Sequence, residues 1–276
     1  MFQKTAPTNR MASAVNIAEL IYHNTVRSIR KTHGNAFMSI AMSVFQSLMF
    51  VLFFFIMFSV MGMKGLAVRG DFVIFLLTGI FLFMTHNKAV GAVLGSEGPS
   101  SPMMQHAPMN TFVSIVSGML STLYIQILAM LFILFVYDVA MNPYVLTEIV
   151  DPAPVMGMLL LSWFSGGAVG MVFLALKPWF PSLTGTLSTL YKRANMIASG
   201  KMFVANSLPG FMIAMFDWNP LFHTIDQARG YAFINYVPRN TNWEYVLYLS
   251  LTLLMIGLMG EFYTRKHASA SWSARR

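Results

Sequence analysis

Residues 35–63 contain no Asp, Glu, Lys, Arg or His. About 20 apolar residues suffice for a helix to cross the hydrocarbon core of a bilayer. A chain in lipid must also satisfy its own backbone polar groups. This run therefore predicts a transmembrane helix, and the rest of the chain repeats the pattern. Residues 107–137 and 152–176 are uncharged, and residues 243–262 form a final apolar span closed by Arg265, Lys266 and His267. Residues 72–85 are also uncharged, and reach spanning length by continuing through His86 and Lys88 into the headgroups. Only 10% of the chain is charged, against about a quarter in an ordinary soluble domain. It cannot supply a soluble protein's surface. The absence of Cys excludes disulfides, thiolate metal sites and a Cys nucleophile.

Residues 184–203 have a usable length but contain Lys192, Arg193 and Lys201. They read as a polar fifth span. Residues 206–236 hold two short apolar pieces broken by Pro209, Gly210, Asp217, Asn219 and Pro220. Neither can cross, and they read as re-entrant or surface helices packed on protein. The expectation is an all-α integral membrane protein with six transmembrane helices and re-entrant outer helices between spans five and six. With the N-terminus inside, eleven Lys and Arg fall on the cytoplasmic side and five outside, with Lys192 and Arg193 in the fifth span. Positive residues concentrate on the cytoplasmic side, so both termini are expected there. The net charge of +8 then reflects topology and implies no nucleic-acid partner. Residues 14–30 read as an amphipathic helix. Ala14, Val15, Ile17, Ala18, Ile21, Tyr22, Val26 and Ile29 share one half of the wheel, with Glu19, His23, Arg27 and Arg30 opposite. Such a helix suits the cytoplasmic interface. The domain reading is a cytoplasmic amphipathic segment (1–34), a six-span permease domain (35–267) and a basic cytoplasmic tail (268–276).

No G-x-x-x-x-G-K-[ST] loop, H-E-x-x-H or G-x-S-x-G occurs, so the chain is not expected to hydrolyse nucleotide alone or to carry catalytic or metal-ligating residues. His223, Asp226 and Arg229 lie three residues apart on one helical face. They fit either a base with its orienter or a network closing a short surface helix. Gly166 and Gly170 are spaced for close helix approach. Lys192 and Arg193 lie roughly 12 Å into their helix. A cation at that depth faces a pathway or snorkels to the headgroups.

Ser199-Gly200-Lys201-Met202-Phe203, then Leu208-Pro209, then Asn219-Pro220-Leu221-Phe222-His223-Thr224-Ile225 reaching Arg229, together with six spans behind an amphipathic helix, resemble the permease subunits of type-2 ABC exporters. The resemblance is greatest to those for capsular polysaccharide and lipopolysaccharide O-antigen. It covers nearly the whole chain as topology, and is concentrated as motif in residues 181–236. It implies a homodimer around a channel in the bacterial inner membrane. It also implies a separate ATPase partner that binds ATP and Mg, and cytoplasmic coupling helices near residues 95–109 and 178–186. The substrate would be a glycan or glycolipid, passed on to periplasmic export components. Tyr191, Lys192, Arg193 and Phe203 are the candidate pathway residues, with Trp218 and Tyr231 as further aromatic candidates. Exporters of drugs, lipids or teichoic acid, a membrane-embedded enzyme using His223 and Asp226, and a structural membrane protein are the alternatives.

Overall fold

The computed structural model describes residues 10–30, 35–62, 68–97 and 110–267. Its helices are α1 (Arg10–Arg30), α2 (Ala36–Val60), α3 (Phe72–Leu94), α4 (Thr111–Ala140), α5 (Pro152–Leu176), α6 (Pro181–Ala198), α7 (Gly210–Phe216), α8 (Pro220–Ala232) and α9 (Trp243–His267). Among the described residues, α2, α3, α4, α5 and α9 are long and apolar enough to cross a membrane. The expected fifth span is shorter and more polar than these. It forms the 18-residue α6, stops at Ala198 and is not one of the five.

Helix α3 is the centre of the bundle. Its most apolar stretch is 89% buried, against 17% for α2. A helix apolar all round lies either inside protein or in lipid, and α3 is enclosed by its neighbours. Its start is fixed by Asp71, whose Oδ1 accepts the backbone N–H groups of Val73 (2.7 Å) and Ile74 (3.1 Å). The other carboxylate oxygen accepts the Tyr137 hydroxyl (2.8 Å) and the Asn142 amide (3.1 Å), tying α3 to the end of α4. The helix runs on through His86 and Lys88 as expected, but those side chains do not reach headgroups. His86 is fully buried, and Lys88 donates to the Gln126 carbonyl of α4 at 3.2 Å.

Helices α3 and α5 approach closely because α5 offers glycine. A Cβ on Gly166 would lie 2.4 Å from the His86 carbonyl oxygen, and one on Gly170 would lie 2.8 Å from the Val93 Cβ. The small-residue spacing thus works within the chain. Gly166→Leu is expected to lower the abundance and thermal stability of the folded protein, since the clash is with backbone and overpacking costs about 1–3 kcal/mol or more. An unchanged melting profile in detergent would contradict that account.

Helix α1 lies along α4. The Ser117 hydroxyl donates to the Ile21 carbonyl at 3.2 Å, and the Ser28 and Ser121 hydroxyls meet at 3.2 Å. Met11, Val15 and Tyr22 remain exposed. Of the expected coupling segments, residues 98–109 lie outside the described residues, as does the expected tail, 268–276. The other segment is described. The turn after α5 is held by Lys177, which donates to the Leu94 carbonyl (3.0 Å), and by the Trp179 indole, which donates to the Thr264 hydroxyl (2.9 Å).

Candidate functional site

Helix α6 ends in a sharp turn. Ser199 is its buried C-cap, and Gly200 follows with φ +77°, in the left-handed region where side chains other than glycine's are strained. A Cβ at Gly200 would also meet the Phe222 ring at 3.0 Å. The turn sits beside Gly79, because a Cβ there would lie 3.0 Å from the Lys201 carbonyl oxygen. Gly79 is seven residues into α3, about 10 Å along its axis, so α6 stops well short of the end at which α3 begins.

The turn exposes three carbonyls, and Arg229 fills them. Its Nη1 donates to the Gly200 and Phe203 carbonyls at 2.9 and 2.6 Å, and its Nη2 to the Lys201 carbonyl at 2.8 Å. The guanidinium carbon lies 3.9 Å from the Phe75 ring centroid. Burial lowers the Arg229 pKa to about 10, with the Asp226 charge opposing that shift, so the group stays cationic at neutral pH. Asn219 fixes the other end of α8. Its side-chain oxygen accepts from the Leu221 N–H (3.0 Å), and its amide donates to Asn195 Oδ1 (3.0 Å) and the Ala198 carbonyl (3.1 Å). Pro220 begins the helix at a position where the N–H it lacks would have had no intrahelical partner. Pro209 is the exposed N-cap of α7.

His223, Asp226 and Arg229 therefore brace α8 through hydrogen bonds to other residues rather than to one another. The Asn242 N–H donates to His223 Nδ1 at 2.9 Å, which makes Nε2 the donor to the Asp217 carbonyl at 2.6 Å. Burial lowers the His223 pKa, and both ring nitrogens are occupied, which does not suit a general base. The Asp226 carboxylate accepts the Tyr236 hydroxyl, the Thr241 hydroxyl at 2.8 Å and the Ala205 N–H at 3.4 Å. The helix they serve is not on the surface: Leu221, Phe222, Thr224 and Ile225 are all within 1% of complete burial. The expectation of a short surface helix is corrected, because α8 fills the space left where α6 ends.

Two further polar contacts join residues that the sequence does not link. The Tyr191 hydroxyl of α6 lies 2.8 Å from His86 Nε2. His86 Nδ1 faces the Ser162 carbonyl (3.1 Å) and the Ser165 hydroxyl (2.9 Å) of α5. With a carbonyl at Nδ1, that nitrogen carries the proton, and Tyr191 donates to Nε2. Lys201 lies past the end of α6, in the turn that follows it. It is 2% exposed, donates to the Met196 carbonyl, and sits 4.2 Å from the Phe83 ring centroid and 5.5 Å from that of Phe54. A lone His in an uncharged run is a signal, but nothing local points to Tyr191 as its partner.

The candidate pathway residues separate into two groups. Tyr191 is partly buried against His86 and Phe173, and Phe203 stacks on Phe216 with ring centroids 5.5 Å apart. Lys192 is half-buried, its Nζ 3.2 Å from where a Gly91 Cβ would be, and Arg193 is exposed. Helix α6 buries a narrow polar stripe of Thr184, Ser188 and Asn195, while Leu183, Leu190 and Ile197 stay exposed. Trp218 is exposed, and Tyr231 packs against the core.

Two curated relatives, both named polysialic acid transport protein KpsM and both from Escherichia coli, are 25% and 24% identical to the chain. Each alignment runs over 202 residues, covering 72% of this chain and 75% of the relative. The chain is thus similar to transport proteins for polysialic acid. No protein-family model matches it. The Ser199-Gly200 turn and the helix from Asn219 to Arg229, which carried the resemblance in sequence, are one unit in space, joined by the Arg229 guanidinium.

Proposed function

We propose that this chain is the membrane-spanning permease subunit of an ATP-driven ABC exporter. It moves polysaccharide of the capsule or O-antigen type across the bacterial inner membrane. The observation that carries this reading is the 202-residue match to transport proteins for polysialic acid. Five helices of spanning length and composition support it. In this reading α6 is the fifth of six spans and α7 with α8 forms the outer re-entrant pair. Helix α1 lies at the cytoplasmic interface, and both termini are cytoplasmic. Two copies form the channel. A separate ATPase binds ATP and Mg, and docks where the α5–α6 turn meets the ends of α3 and α9. Periplasmic export components receive the glycan. Lys192 and Arg193, on the α6 surface that the rest of the chain leaves accessible, contact it.

The purified chain is expected to show no ATP hydrolysis, because it lacks a phosphate-binding loop. Co-expression with an ABC ATPase from the same host should yield a stable, hydrolysing complex. Turnover by the isolated chain, after contaminants are excluded, would overturn the division of labour.

A further inference from the structure

We propose that the groove between α4, α5 and α9 is a binding site for one phospholipid, which lays an acyl chain along it and sets its phosphate on Arg265. The groove encloses about 400 Å³, within the size range of small-molecule sites. Its two ends differ in chemistry. Ile115 and Met119 of α4, Met171 of α5, and Leu254 and Leu258 of α9 line the apolar part. Asn110, Thr111, Glu261 and Arg265 line the rest, where α4 begins and α9 ends. From Leu254 to Arg265 is eleven residues, about 16 Å along a helix. That matches half of a hydrocarbon core of about 30 Å. The groove therefore runs from mid-membrane to headgroup depth, the path of a single acyl chain in one leaflet.

Charge selects the occupant. Arg265 is held at the mouth by Glu261, but both bonds, at 3.1 and 2.9 Å, come from Nη2. The N–H donors of Nη1 and Nε take no part in that pair. Glu261 is nearly buried whereas the Arg265 side chain is 59% exposed, so the carboxylate anchors a guanidinium whose remaining face meets the headgroup layer. Lys266 and His267 follow directly. A planar guanidinium suits a phosphate. Two other apolar clefts among the described residues, one between α2 and α4 and one between α3, α4 and α5, have no charged residue in their linings. Of these three clefts, this one combines the lipid-facing position, the depth and the cation.

The test uses the full chain, made in cells without the polysaccharide and placed in nanodiscs containing phosphatidylglycerol with a photoactivatable acyl chain. Label is expected on Ile115, Met119, Leu254 or Leu258. Arg265→Gln should reduce it fivefold or more, Arg265→Lys should reduce it less, and Leu258→Trp should block it by filling the groove. Leu52→Trp, in the cleft without a cation, should leave it unchanged. Label spread evenly over all lipid-facing helices would overturn the site, and so would equal labelling of wild type and Arg265→Gln. Efficient disulfide formation between cysteines introduced at positions 104 and 258 would also overturn it, by showing that the chain's own segment occupies the groove. None of these outcomes depends on what the protein exports.

Discussion

Arg229→Ala is expected to remove most of the folded protein from the membrane, and Arg229→Lys to restore little of it. The guanidinium is 1% exposed and holds three backbone carbonyls of the turn after α6. Deleting it leaves those carbonyls buried without their donor, at roughly 1–3 kcal/mol each, a total on the order of a whole domain's net stability. Lysine keeps the charge but not the planar fork that reaches three acceptors at once. Membrane abundance and the melting transition in detergent, followed by fluorescence-detected size exclusion, measure the effect. If Arg229→Lys behaved as wild type, charge rather than cage geometry would be what the site requires. If Arg229→Ala were equally stable, the brace would be wrong altogether.

A double Lys192→Gln and Arg193→Gln variant is expected to assemble normally and lose export. Arg193 is exposed on α6 and Lys192 is half-buried, so neither substitution orphans a buried partner as Arg229→Ala does. The loss falls on the substrate. An ion pair at ~4 Å is worth about 4 kcal/mol at an effective dielectric near 20, and each 1.4 kcal/mol is tenfold. Export of an acidic glycan should therefore drop tenfold or more at unchanged membrane abundance. Cell-surface polysaccharide and permease level, measured on the same cells, separate the possibilities. Normal export at normal abundance would make these cations topological anchors that snorkel to the headgroups.

The long spans were legible because charge exclusion over some twenty residues is a one-dimensional signal. Residues 35–63, 107–137 and 152–176 each coincide with a helix within a few residues, and the apolar run at 243–262 does so despite Glu244 and Glu261. The close approach at Gly166 and Gly170 was legible for a similar reason, since helical spacing is local. What failed to show was the partner of each polar group. His86 looked like a headgroup residue because nothing near it in sequence announces Tyr191, 105 positions later. Lys201 looked like part of a span because the chain's left-handed turn at Gly200 has no length signature. The order of motif residues from Ser199 to Arg229 was visible, but not its meaning. That meaning is a carbonyl cradle and the guanidinium that closes it, and it exists only once α8 folds back beside α3. The surface-helix expectation for His223 to Arg229 failed on the same point. Amphipathic spacing identifies a polar face without saying whether that face meets water or backbone.

The central claim is that the chain carries polysaccharide outward, and one measurement tests it most directly. The gene is deleted in its native host, and the polysaccharide is quantified separately at the cell surface and in the cytoplasm, with complementation by the wild-type gene. The expected result is loss of surface polysaccharide together with intracellular accumulation of finished chains, both reversed by complementation. Normal surface polysaccharide in the deletion strain, with no cytoplasmic accumulation, would contradict the claim.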